Sequence, residues 1–342
     1  MLRTDLAELY LRSAKDLFTQ NLTENASERT TIDLQIIDTA QLSARCNARD
    51  EDATSTVSVA ISTKCLENLS SDLDLDDESQ NAFFEWRLSW LAWHELAHWL
   101  LGHVAVYREE GWIGDLGILE EHEPDAIQSG PEGGASQSTD VFSLAHVAEL
   151  EADSFATRRL YKLLVDIPVN DDAHGDTPEE DIQFCYYTIM TTISCFFASS
   201  TGNGRGPFHP SWNVRSLNVF TTLFQMHLER QDRSSAARPG ANASELASQA
   251  NSFMADAIQP TVDGIEAYAR SIGCPFQIHG RDEEGLFDPE SLLEVFTGGS
   301  QNPVVRAYLI VLQHQRDMIK RTSELRSERS TEQTLVARID ER

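Results

Sequence analysis

A chain of 342 residues, 41% apolar and 24% charged, has the length and composition of a globular protein with one large domain or two smaller ones. Its 55 acidic residues outnumber 27 basic ones and leave a formal charge of −28, which repels phosphate backbones and anionic membranes and argues against nucleic-acid binding. Solubility is the plain reading of that acidity, and a preference for basic partners the sharper one. Cys46, Cys65, Cys185, Cys195 and Cys274 form no CxxC pair; neither a disulfide framework nor a thiolate metal site is indicated, and reduced thiols in a cytoplasmic protein fit best.

In chain order, residues 1–18 contain acids and no apolar core of a signal peptide, and read as an amphipathic helix. Two short β-rich runs follow, at 31–39 and 56–63, bounded by polar turn formers. The acidic segment 70–79 reads as a solvated connector that caps the helix behind it. That helix, over about 81–107, is apolar on most sides and so belongs at the centre of a domain. Residues 109–140 are rich in acids, Gly, Ser and Pro and read as a loop or lid over a cleft. A second strong helix spans about 141–165, and an acidic loop covers 170–181. The run from Asp181 to Arg205 holds no charge between its ends. It is diluted by Gln183, Thr188, Thr191, Thr192, Ser194, Ser199 and Ser200, and reads as a buried helix rather than a membrane span. A Gly-rich turn, TGNGRGPFHP, precedes a helix over about 211–230. Beyond a linker-like stretch at 233–244 come further helices, one near 304–326. The organisation expected is α+β: a domain over 1–230 with a small sheet and a helical core, then a helical region over 231–342 that carries no recognisable chemistry.

The first long helix contains WHELAHWLLGH. Residues four apart share a helix face, so His94 and His98 can aim ring nitrogens at one ion. Glu95, about 100° around the helix, reaches a water on that ion without ligating it. This HExxH spacing binds Zn²⁺ through two imidazoles and leaves a carboxylate to take the proton from an attacking water. Burying two histidines and a glutamate in so apolar a helix without a partner costs several kcal/mol, which favours a metal over two hydrogen-bonded helix histidines. A catalytic zinc needs a third protein ligand, and the second helix offers one in AHVAELEADSFATRRL. Glu149 and Asp153 are i,i+4: Glu149 suits the ion, and Asp153 suits the task of fixing a ligand histidine's tautomer. Glu151 points roughly opposite Glu149, so only one of the two can serve, and Glu149 is favoured. His146, one turn before Glu149, is the competing ligand or a supporting group. A three-histidine site of the HExxHxxGxxH kind requires a glycine at position 101 and a histidine at position 104. Leu101 and His103 break that register, leaving His103 as a helix-end residue near the negative end of the dipole.

HELAHWLLGH followed by ELEADSFA resembles the gluzincins, in which a glutamate on an ExxAD helix completes the zinc site. FHPSWNVR resembles the HPxxxxR element of the heat-shock (HtpX-like) membrane proteases and CAAX-processing endopeptidases; the likeness implies that His209 stabilises the oxyanion and Arg215 orients site groups. Those relatives have multiple membrane spans, which this chain lacks. Among soluble proteins it is similar to the Lit-like phage-exclusion peptidases and to the ImmA/IrrE regulatory peptidases, although the latter usually carry Asn where Asp153 stands. The likeness covers roughly residues 30–220 at three short motifs. It implies a zincin-like (minigluzincin-like) core and a zinc-dependent endopeptidase acting on a protein or peptide. The other class of function left open is a regulatory or interaction protein whose metal centre is structural or fires only when a partner protein engages it.

Overall fold

The computed structural model describes residues 4–20, 22, 30–39, 44–51, 54–109, 137–166, 178–197, 210, 212–234, 243–273, 308–309, 318, 320 and 322–323. The fold is mostly helical with one small sheet, an α+β arrangement. Helix α1 (Thr4–Thr19) leads to strands β1 (Thr30–Ile37), β2 (Ala44–Glu51) and β3 (Thr54–Ser62). The strands lie in the order β1-β3-β2, with β1 parallel and β2 antiparallel to β3. Both sequence-expected strands are present. β2 was not expected, because ARCNARDE is polar and lacks β-branched residues; the small Ala44, Cys46 and Ala48 turn inward at alternate positions, and pairing with the buried Val57–Val59–Ile61 face of β3 recruits them.

Ser62 accepts a hydrogen bond from the Cys65 amide and so caps α2 (Thr63–Leu69). Helix α3 (Glu78–Leu100) follows and packs on α1, α2, β2 and β3, with Trp93 Nε1 donating to the Ala14 carbonyl of α1. The expected continuous helix over 81–107 is in fact broken. Gly102, at φ 89°, occupies the left-handed region that favours glycine, and there the chain leaves α3 and starts α4 (His103–Glu109). His103 therefore opens a new helix instead of ending the old one.

Helix α5 (Gln137–Tyr161), extended by a π-helical turn (Lys162–Asp166), packs on α3, and α7 (Trp212–Ser234) packs on α5. Residues 182–197 of the uncharged run belong to α6 (Pro178–Phe197), whose hydroxyls turn back on its own backbone: Thr191 to Tyr187 O, Thr192 to Thr188 O and Ser194 to Met190 O. Those internal bonds let a polar-flecked helix lie in the core. Among the described residues, no helix is long and apolar enough to cross a membrane. Helices α8 (Ala243–Phe253) and α9 (Gln259–Ser271) are joined by a π-helical turn (Met254–Ile258), and α9 packs on α6. Buried residues from Ala7 to Met318 belong to one hydrophobic cluster. Most of the 109–140 stretch, the 170–181 loop up to 177, the Gly-rich turn up to His209, and Cys274 lie outside the described residues. Cys46, Cys65, Cys185 and Cys195 are buried thiols.

Arg87 ties the helices together. Fully buried, it donates to both carboxylate oxygens of Asp72 at 2.7 and 3.0 Å, to the Leu69 carbonyl at 2.7 Å and to Thr191 Oγ1 at 3.1 Å. Its guanidinium lies 4.8 Å from the centre of the Tyr268 ring. One side chain of α3 thus gathers α2, α6, α9 and the segment 70–79, whose Asp72 is an ion-pair partner and not only part of a solvated connector. Removing Arg87 leaves the buried Leu69 carbonyl without that donor and Asp72 without that cation, so Arg87→Ala should lose roughly 1–3 kcal/mol of stability, checked by urea unfolding against wild type.

Candidate metal centre

Helices α3 and α5 meet in opposite directions, each stepping by four residues. Trp90 Nε1 donates to Thr157 Oγ1 at 3.4 Å, His94 Nδ1 lies 3.0 Å from Asp153 Oδ1, and His98 Nε2 lies 3.4 Å from Glu149 Oε1. Trp90, His94 and His98 descend one face of α3 while Thr157, Asp153 and Glu149 ascend the facing row of α5. This is the register of i±4 rows packed antiparallel. Small residues on α5, among them Ala148, Ala152 and Ala156, are fully buried and allow close approach.

The ladder brings three donors to one point. His94 Nε2 and His98 Nε2 are 3.3 Å apart, and the Glu149 oxygens lie 3.5 and 3.4 Å from them. In a tetrahedral site such edges correspond to bonds of about 2.0–2.1 Å, the length of metal–imidazole and metal–carboxylate bonds. Among the described residues, His94, His98 and Glu149 form the group able to hold a metal ion, and all three are buried. Glu95 is buried beside them, and its charge acts on Arg215.

Asp153 does not reach the ion point. It faces His94 Nδ1 and takes two hydrogen bonds from Arg215, from Nε at 2.7 Å and from an Nη at 2.5 Å. The other Nη of Arg215 lies 3.9 Å from Glu149 Oε2. Helix α7 is held in place for this by Asn218, which donates to the Leu150 carbonyl at 2.9 Å and to Ser154. His146, partly buried, is outside the converging group. His209 lies outside the described residues.

Two further residues join the site that the sequence reading had set aside. His103 Nδ1 lies 3.2 Å from His98 Nδ1, and its Nε2 lies 2.9 Å from Glu151 Oε2. Glu151 meets His103 and is largely shielded from solvent. The signal for this pair was the Gly102 break, since an unbroken helix would carry His103 about 140° away from His98. The Tyr107 ring also packs 6.0 Å from His98. Burial, with the charges of Glu149, Glu95 and Glu151, pushes its phenol well above the usual range, so the hydroxyl stays protonated.

Burial disfavours a charged His94, but hydrogen bonding and charge from Asp153 and Glu149 outweigh it and raise its pKa to about 10. Asp153 is likewise penalised by burial, and the Arg215 guanidinium and His94 nonetheless hold its carboxyl below the ordinary range. A metal ion must displace the His94 proton. Metal affinity should therefore climb by up to tenfold per pH unit until pH about 10, with proton release on binding, as read by chelator competition across pH. In metal-free protein the protonated His94 favours the folded state. That contribution is fully present below about pH 6.5 and disappears as pH rises through about 10, lowering the urea midpoint.

No family model, curated protein or solved structure matches this chain, so its functional reading rests on the geometry of these side chains.

Proposed function

We propose that this protein is a zinc-dependent endopeptidase with a gluzincin-type site on a zincin-like core, hydrolysing peptide bonds in a protein substrate. The observation that carries the reading is the convergence of two imidazole nitrogens and one carboxylate at edges of 3.3–3.5 Å, with Glu95 buried beside them. Two imidazoles and a carboxylate are a donor set that zinc accepts, and the spacing fits its bond lengths. Calcium requires six or more oxygens at 2.3–2.6 Å, and this site does not supply them.

When bound, zinc supplies a water of lowered pKa and polarises the scissile carbonyl. His94, His98 and Glu149 would hold it. Glu95 accepts the proton of the water whose oxygen attacks the carbonyl carbon. It then delivers that proton to the amide nitrogen as the C–N bond breaks, so one carboxylate serves as base and then acid. Asp153 keeps His94 oriented and Arg215 balances its charge. In the same reading His209 supports the oxyanion. The substrate is a protein or peptide rather than a nucleic acid or a lipid, and the protein works in the cytoplasm, with a regulatory partner as its trigger if activity is conditional.

Glu95→Gln keeps the ligands and removes the base. It should retain zinc and lose at least about 10²–10⁴-fold in turnover, with cleavage products that disappear from terminal-peptide proteomics of cells carrying the variant. A wild-type pattern of termini in those cells would show that the protein's role is not hydrolytic.

A further inference from the structure

We infer that His103 and Glu151 are positioning residues for the metal centre: together they fix the proton on His98 so that its Nε2 lone pair faces the ion. This rests on the metal-site reading above.

The geometry admits one consistent order of protons among neutral rings. The Glu151 carboxylate can only accept, so the His103 nitrogen facing it at 2.9 Å, Nε2, must carry the hydrogen. A neutral His103 then presents Nδ1 as an acceptor. Its neighbour at 3.2 Å is His98 Nδ1, which must donate. His98 is left with an unprotonated Nε2, and that atom is the one that lies 3.3 Å from His94 Nε2 and 3.4 Å from Glu149 Oε1.

Each ligand histidine thus has its own support, and both supports end on α5. His94 is held directly by Asp153, while His98 is held by Glu151 through His103. The indirect route follows from the fold. His98 lies near the end of α3, and Gly102 turns the chain so that the first residue of α4 faces back towards it. His103 is fully buried, and the Glu151 side chain is 17% exposed. The Glu151 carboxylate therefore reaches His98 Nδ1 through a bridging ring.

Two measurements test this. The first is zinc affinity of wild type, His103→Ala, His103→Gln and Glu151→Ala by chelator competition, with thermal unfolding of each metal-free variant alongside. The expected result is a loss of about 10–100-fold for His103→Ala and in the same direction for Glu151→Ala. His103→Gln, whose carbonyl oxygen can accept the His98 proton, should recover most of the loss. The second is the two-bond ¹H–¹⁵N histidine spectrum of metal-free wild type, which should place the His98 proton on Nδ1 and the His103 proton on Nε2. Because it needs no variant, it stands even if His103→Ala fails to fold. A His98 proton on Nε2, or a folded His103→Ala with wild-type affinity, overturns the inference while leaving the metal centre intact. Wild type that binds no zinc overturns both.

Discussion

The antiparallel register of α3 on α5 is the constraint from which the centre of this molecule follows. Trp90–Thr157, His94–Asp153 and His98–Glu149 are successive rungs of one ladder. A slip of one residue in either helix would rotate its row by about 100° and break all three rungs together. The two helices therefore need a fixed register, and the surrounding packing supplies it. Arg87 anchors α3 to α2, α6 and α9, Trp93 anchors it to α1, and Asn218 pins α5 to α7.

Register alone does not explain why so much charge is tolerated there. Glu95, Glu149 and Asp153 are all buried, and Glu151 is nearly so. Taking a carboxylate out of water costs several kcal/mol unless charge and hydrogen bonds compensate it. Arg215 answers Asp153 with two hydrogen bonds and stands near Glu149. His94 carries a positive charge between Asp153 and Glu149 in the metal-free state. A divalent cation at the point where His94, His98 and Glu149 converge would add positive charge among these buried carboxylates, so the proposed zinc suits the electrostatics of the site as well as its geometry.

Much of this was legible in the sequence where a local rule carried it. The i,i+4 spacings of His94 with His98 and of Glu149 with Asp153 are properties of single helices, readable without knowing how the helices meet. The expectation that Glu149 and Asp153 would differ in task needed one further step, and the structure places Glu149 at the Nε2 atoms and Asp153 at Nδ1 of His94. Arg215 entered only through the resemblance of FHPSWNVR to a known element, since nothing in its own helix marks it; its contact with Asp153 spans 62 positions. Strand β2 was illegible because its burial depends on β3 beside it. Asp72 looked solvated because its cation, Arg87, sits on another element.

The Gly102 break shows why local reading fell short at His103. Helical periodicity through WLLGHVAVY favours continuation, and Gly within an apolar helix is a weak stop signal. Read as one helix, the segment points His103 away from His98 and makes Glu151 the unused member of its row. Read with the chain turned at a positive φ, the same residues become adjacent, and both cease to be surplus. The correction concerns a single backbone angle, yet it changes the status of two titratable side chains and gives His98 the support that His94 already has.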